Sequence, residues 1–300
     1  MSWRVVLVNK GDHLQLKLDN IVIKKGELDY IIPLSDISII VLEGLNTVIT
    51  TRLLNALTQY NINLVICDHK HTPSGIFGAL SSHSRASKLL KEQIAWNNQI
   101  KDEFWQMIVQ MKLKNQLSVL EKFTNDVEYI GKLKEYISNV MPGDKTNREG
   151  HAAKVYFNSM FNIDFVRDDS SNIINAGLNY GYSIIRSYMS RLVVGYGLVG
   201  MIGLFHKNEY NQFNLVDDLM EPFRQFVDVH VYLNFKGKEF MDADMRRNLV
   251  DLINRQIICE NKKTLICNMM ENYVIRFISG INANDTEIML FPDINGLYEG

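Results

Sequence analysis

Three hundred residues, 46% of them hydrophobic, suffice for more than one buried core and exclude a disordered chain. A net charge of −2 excludes the strongly basic footprint of a simple nucleic-acid binder. Three cysteines, Cys67, Cys259 and Cys267, with no Cys-x-x-Cys pair, exclude a disulfide framework or a structural zinc and point to a reducing compartment. The start Met-Ser-Trp-Arg reads as lacking a basic leader with an apolar segment behind it. The fourteen-residue uncharged run from Leu192 to Phe205 is too short and too rich in glycine to span a bilayer. A cytoplasmic protein without membrane contact is expected.

Residues 4 to 42 break into short β segments, Arg4 to Val8, His13 to Leu18, Ile21 to Lys24, Tyr30 to Pro33 and Ile37 to Leu42, separated by turn residues. Their lengths suit a small antiparallel sheet or sandwich. Thr50 to Tyr60 changes to helical spacing, and Ile62 to Cys67 returns to a buried strand. Cys67-Asp-His69-Lys-His71 has metal-like composition, but at a strand-to-turn corner it reads better as polar turn residues. From Ser84 to Phe123 glycine and proline are absent and apolar residues recur helically, which gives one long helix or two shorter ones. Arg85, Lys88 and Lys91 share one face there, which reads as a solvated face or a phosphate contact. The fold class expected is α+β. A small β-sandwich domain over 1–78, a linker over 79–88 and an all-α catalytic domain over 89–300 make up the organisation.

The charge is unevenly spread. Residues 149 to 300 carry 14 Lys and Arg against 19 Asp and Glu, whereas residues 81 to 148 carry 11 against 8. A polyanionic substrate of the acidic half needs a divalent cation between phosphate and carboxylates. His206 is the first chargeable side chain after the long uncharged run, and Asp218 and Glu221, three apart, share a face if helical. Imidazole and carboxylate together suit Mg²⁺ or Mn²⁺. The same Asp218-Leu-Met-Glu221 reads equally as a capping box, with Asp218 at the N-cap and Pro222 in the first turn. Thr146-x-x-Glu149 offers a second capping box. Beyond it, Asn175 to Tyr182 sets amides and glycines in an apolar helix, a pattern for close packing on a neighbour.

Four blocks in order resemble the CRISPR-associated integrase, the larger subunit of the spacer-acquisition complex. They are Glu149-Gly with Ala152-Ala153 and Tyr156-Phe157, Asn175 through Tyr182, Gly203-Leu-Phe-His206, and Asp218-Leu-Met-Glu221 with Phe223-Arg224. Members found beside the type II-A effector nuclease are nearest in length and in carrying Glu at position 221. One departure is Gly195-Tyr-Gly-Leu-Val-Gly, where many relatives have a proline before the histidine motif. The resemblance implies Glu149, His206 and Glu221 as ligands of Mg²⁺ or Mn²⁺, with Asp218 as a supporting residue. It also implies a homodimer that acts on double-stranded DNA, both spacer precursor and CRISPR repeat. A small adaptation subunit would be its partner, and the type II effector nuclease and an accessory adaptation protein are further partners to consider.

The implied reaction is insertion of short DNA fragments into a CRISPR array, a DNA 3′-hydroxyl attacking a phosphodiester, with endonuclease activity from the same groups. Two other readings stand beside it: a metal-dependent nuclease without integration, and a non-catalytic DNA-binding scaffold in which the acidic residues are helix caps. The residues that contact DNA are not readable from the sequence.

Overall fold

The computed structural model describes residues 4–9, 13–80, 83–169, 171–260 and 262–297. The chain starts with β1 (Arg4–Val8), β2 (His13–Lys17), β3 (Asn20–Lys25), β4 (Leu28–Pro33), β5 (Ile37–Leu42) and β6 (Val48–Ile49). Helix α1 (Thr51–Gln59), capped by the Thr50 hydroxyl on the Leu53 N–H, leads to β7 (Asn63–Cys67) and β8 (Pro73–Phe77). Two four-stranded sheets result, ordered β1-β5-β7-β8 and β4-β3-β2-β6.

The first sheet departs from the antiparallel expectation, since β1, β5 and β7 run parallel and only β8 is antiparallel. Chain connectivity is the reason: β5 reaches its neighbour β7 through α1, and parallel neighbours need such a crossover. Strand β5 is buried along its whole length, as its unbroken apolar sequence requires of a strand covered on both faces. Ile40, Leu42 and Leu64 point into a core shared with Leu14 and Ile21 of the second sheet and Leu57 of α1. Their alternates Ile39, Val41, Val65 and Cys67 point into the core of the helices. The β part is thus a sandwich whose first sheet also forms the floor of the helical part.

The helical part comprises α2 (Ala86–Ile94), α3 (Asn98–Phe123), α4 (Val127–Ser138), α5 (Arg148–Phe161) and α6 (Ile173–Gly195). It continues with α7 (Asn214–Met220), α8 (Arg224–Phe235), α9 (Ala243–Val250) and α10 (Ile266–Ala283). The stretch from Ser84 to Phe123 forms two helices, and Asn97 caps the second through the Gln99 N–H. The expected all-α character fails at a hairpin of β9 (Gln256–Cys259) and β10 (Lys262–Leu265), four-residue strands in which β-branched residues recur. In α6 the expected close packing is seen at Gly181, where a β-carbon would collide with Val227 of α8.

A buried carboxylate ties the two parts together. Glu43, just beyond β5, accepts from the Tyr180 hydroxyl of α6 at 3.0 Å and from Arg246 Nε of α9 at 2.7 Å. The Cys67 to His71 corner is a turn closed by Asp68 Oδ1 on the Lys70 and Thr72 N–H groups. Arg85, Lys88 and Lys91 are exposed, and Lys88 pairs with Glu92 at 3.5 Å. The three cysteines are free. No helix among the described residues is long and apolar enough to cross a membrane.

Candidate metal centre

Neither capping box forms, and the reasons explain the site. Helix α5 is capped by Asn147, whose Oδ1 accepts from the Gly150 N–H. The buried Asp144 carboxylate takes the Arg148 and Glu149 N–H groups at 2.8 and 2.9 Å. With those orphan donors satisfied, the Glu149 side chain does not cap and faces the cleft. Helix α7 begins at Asn214, four residues before Asp218, because Leu215, Val216, Leu219 and Met220 already form its buried face. Pro222 lies in a 3₁₀ turn, Glu221–Phe223, between α7 and α8. Its missing N–H suits that break in the α-helical ladder.

Asp218 is fully buried and serves the loop that carries His206. Its Oδ2 accepts from the Leu204 N–H at 2.6 Å and the Phe205 N–H at 3.2 Å. Its Oδ1 accepts from the His206 N–H at 3.2 Å and lies 2.6 Å from His206 Nδ1. Gly203 permits this approach, since a β-carbon there would lie 2.7 Å from Asp218 Oδ2. Gln93 of α2 holds the same loop by three hydrogen bonds of 2.9 Å to Val199 and Ile202. Asn214 Nδ2 donates to Met201 and Asn208 carbonyls. The imidazole therefore has a fixed orientation, with Nδ1 engaged and Nε2 left for a ligand. Trp105 of α3 stacks on Phe205 with centroids 4.6 Å apart and meets the His206 ring edge-on.

Glu149, His206 and Glu221 line one cleft of about 260 Å³ together with Lys112, Gln116, Arg167, Tyr182, Arg224, Gln225 and Asp228. Glu221 Oε1 accepts from Arg224 Nε at 2.8 Å, and Oε2 is ion-paired with Lys112 Nζ. The same ammonium lies 2.6 Å from Glu149 Oε1. Among the described residues no three His, Cys, Asp or Glu side chains form a ready-made cage, since the lysine joins the two carboxylates. Two carboxylates and an oriented imidazole nevertheless make a donor set suited to Mg²⁺ or Mn²⁺.

Burial works against the Glu221 charge, yet Arg224 and Lys112 hold its carboxyl down to about 2. Burial likewise opposes the Lys112 charge, and Glu149 and Glu221 outweigh it, so the amine stays protonated. The hydrogen bond that His206 donates to Asp218 raises the His206 pKa against its own burial. Burial pushes Asp218 up against the pull of His206 and the loop N–H groups. Four donors around that carboxylate favour the ionised form at neutral pH. Asp228, hydrogen-bonded by Tyr182, is pushed by burial up to about 6.

Several side chains of the cleft have no place in the sequence reading. Lys112 is 7% exposed and follows Phe104 and Ile108 at four-residue spacing on the buried face of α3. A lysine on an apolar stripe was the available signal. Arg167 is held by Asn175 and Asn179 of α6, and Asn175 also fixes the Val166 and Asp169 carbonyls. Beyond His206 the surface continues into a second cleft of about 560 Å³ with Lys101, Lys207 and Tyr210 on its walls.

This architecture, a β-sandwich floor under a helical bundle, is shared with known structures. The structure of a casposase bound to integration product superposes with a TM-score of 0.76 at 18% identity, over 95% of this chain and 92% of that one. A Cas6-RT-Cas1–Cas2 complex gives 0.81 at 17% identity, over 97% of this chain and 36% of the longer one. The family model described as CRISPR associated protein Cas1 matches residues 5–253, and the chain belongs to that family. It is 32% identical to the CRISPR-associated endonuclease Cas1 of Neisseria meningitidis serogroup C (strain 8013), across 100% of this chain and 99% of the relative.

Proposed function

We propose that the protein is an integrase of CRISPR adaptation that joins short DNA fragments to the array by metal-dependent attack of a 3′-hydroxyl, with DNA endonuclease activity from the same site. The observation that carries this reading is the meeting of Glu149, His206 and Glu221 in one cleft although they lie 57 and 15 residues apart. These three side chains would hold Mg²⁺ or Mn²⁺, which would supply charge stabilisation for the phosphodiester that is opened.

The chain's own groups do the rest. His206 binds through Nε2 as the neutral imidazole, with its Nδ1–H fixed on Asp218. Arg224 keeps Glu221 oriented through Oε1, and the guanidinium of Arg167, with that of Arg224, flanks the Tyr182 ring in the cleft. Both suit non-bridging phosphate oxygens. Lys101 and Lys207 in the adjoining cleft suit the phosphates of the strand leading to the site. A homodimer that recruits a small partner subunit is expected, because the acidic half of one chain offers few cations for both ends of a duplex. Product analysis tests the reading: a labelled duplex with free 3′-hydroxyls and a repeat-containing plasmid in Mg²⁺ should give joined molecules. Shortened fragments alone would show a nuclease without integration.

A further inference from the structure

Lys112 stands at the centre of the cleft, and nothing in the reaction above uses it. Its side chain is 7% exposed, and its ammonium binds carboxylates from two separate parts of the chain, Glu149 in the first turn of α5 and Glu221 in the turn after α7. Without a cation between them these carboxylates would repel each other, and the buried Glu221 would lose part of its counter-charge. Glu221 divides its oxygens: Oε1 is kept by Arg224, and Oε2 faces the lysine. One oxygen can therefore change its partner while the other keeps the side chain in place.

We propose that Lys112 is a built-in counter-ion of the metal site, whose ammonium joins Glu149 to Glu221 until a divalent cation takes their oxygens. The inference rests on the metal reading of Glu149, His206 and Glu221. A monovalent ammonium and a divalent ion cannot both contact the same oxygens without strong repulsion, so each binds at the expense of the other. The metal is then exchangeable, and its affinity is set by the competition. The displaced amine has acceptors within the same cleft. Gln116, one turn further along α3, and Gln225 each have a buried amide oxygen without a hydrogen-bond partner among the described residues. A residue four positions on lies on the same helical face, within reach of the lysine.

The test is Mn²⁺ binding to the full chain by isothermal titration calorimetry in metal-free buffer, with wild type, Lys112→Met, Lys112→Arg and Glu149→Gln. Lys112→Met should bind Mn²⁺ more tightly by on the order of tenfold or more, because it removes a competing charge at contact distance. Lys112→Arg keeps the charge and should gain nothing, while Glu149→Gln should bind at least tenfold more weakly by losing a ligand. A folded Lys112→Met with wild-type or weaker affinity overturns the proposal and leaves the metal reading standing. Equal affinity in wild type and Glu149→Gln, or no binding by any of the four proteins, overturns the metal reading itself. Should Lys112→Met fail to fold, the wild-type protein still decides. The ¹⁵N-lysine spectrum in EDTA should show a protected ammonium signal, assigned by its loss in Lys112→Arg, that shifts or exchanges away as Mg²⁺ saturates the site. A signal unchanged at saturation overturns the proposal.

Discussion

Replacing Asp218 with Asn keeps the shape of the side chain and removes one acceptor position. In wild type Oδ1 serves the His206 ring and N–H while Oδ2 serves the Leu204 and Phe205 N–H groups. Whichever way the amide is turned, its NH₂ faces two donors, so two hydrogen bonds are lost and like dipoles are opposed. Hydrogen bonds to a charged group contribute roughly 1.5–3 kcal/mol each, so the His206 loop loses about 3–6 kcal/mol of ordering. Part of this is recovered as the loop moves away, and the imidazole then loses its fixed orientation. Metal affinity should fall roughly 10- to 100-fold, the usual effect of removing the partner of a ligating histidine. Calorimetric Mn²⁺ titration of Asp218→Asn and wild type, with urea unfolding of both, measures the two effects. If Asp218→Asn equals wild type in Mn²⁺ affinity, the orientation argument is wrong.

Glu43→Ala strands the Arg246 charge, 10% exposed, and the Tyr180 hydroxyl between the β-sandwich and the helices. A loss of about 3–5 kcal/mol in urea unfolding is expected, and a loss below about 1 kcal/mol would deny the latch. His230 is buried with neither ring nitrogen hydrogen-bonded among the described residues, and burial and Arg255 lower its pKa to about 4. Because the folded value lies below the unfolded one, its stabilising contribution is present above about pH 6.5 and is lost as pH falls towards 4, by up to about 3 kcal/mol. Unfolding curves of wild type and His230→Leu at pH 7 and pH 5 should differ in slope with pH, and parallel behaviour would remove His230 as the cause. Lys101→Ala with Lys207→Ala should weaken DNA binding at all sequences and reduce the slope of log K against log salt by about 2 in magnitude. An unchanged slope would place the strand elsewhere.

Much of the β part could be read directly because its signals are local. Ile37 to Leu42 is an unbroken apolar run, and such a run becomes a strand covered on both faces. That β1, β5 and β7 are parallel could not be read, since strand direction follows from the connections, β2 to β4 between β1 and β5 and α1 between β5 and β7, and not from the strands themselves. The helix around Asp218 was misread for a physical reason. Proline is a marker of helix starts, but here it marks the junction of α7 and α8, and the buried apolar face upstream had already started the helix at Asn214. His206 and Glu221 stood out by their chemistry, an imidazole after a long uncharged run and a carboxylate three residues from Asp218, but Glu149 was joined to them only by resemblance to known motifs, because a separation of 57 residues carries no geometric information. Lys112 escaped notice among the other charges of α3. Only its place on the Phe104–Ile108 stripe distinguishes it from the solvated lysines.

The most direct test of the central claim is the joining of a labelled short duplex with free 3′-hydroxyls to a repeat-containing plasmid, in Mn²⁺ or Mg²⁺ and in EDTA. It should be run with wild type, Glu149→Gln, His206→Ala and Glu221→Gln. Each variant removes one ligand from the cleft, and Gln would serve nearly as well as Glu if the carboxylates were helix caps. The account predicts joining by wild type in metal, none in EDTA, and at least a hundredfold loss in each folded variant, on the order expected when a metal ligand is removed. Wild-type joining in all three variants, or joining by wild type in EDTA, would contradict it.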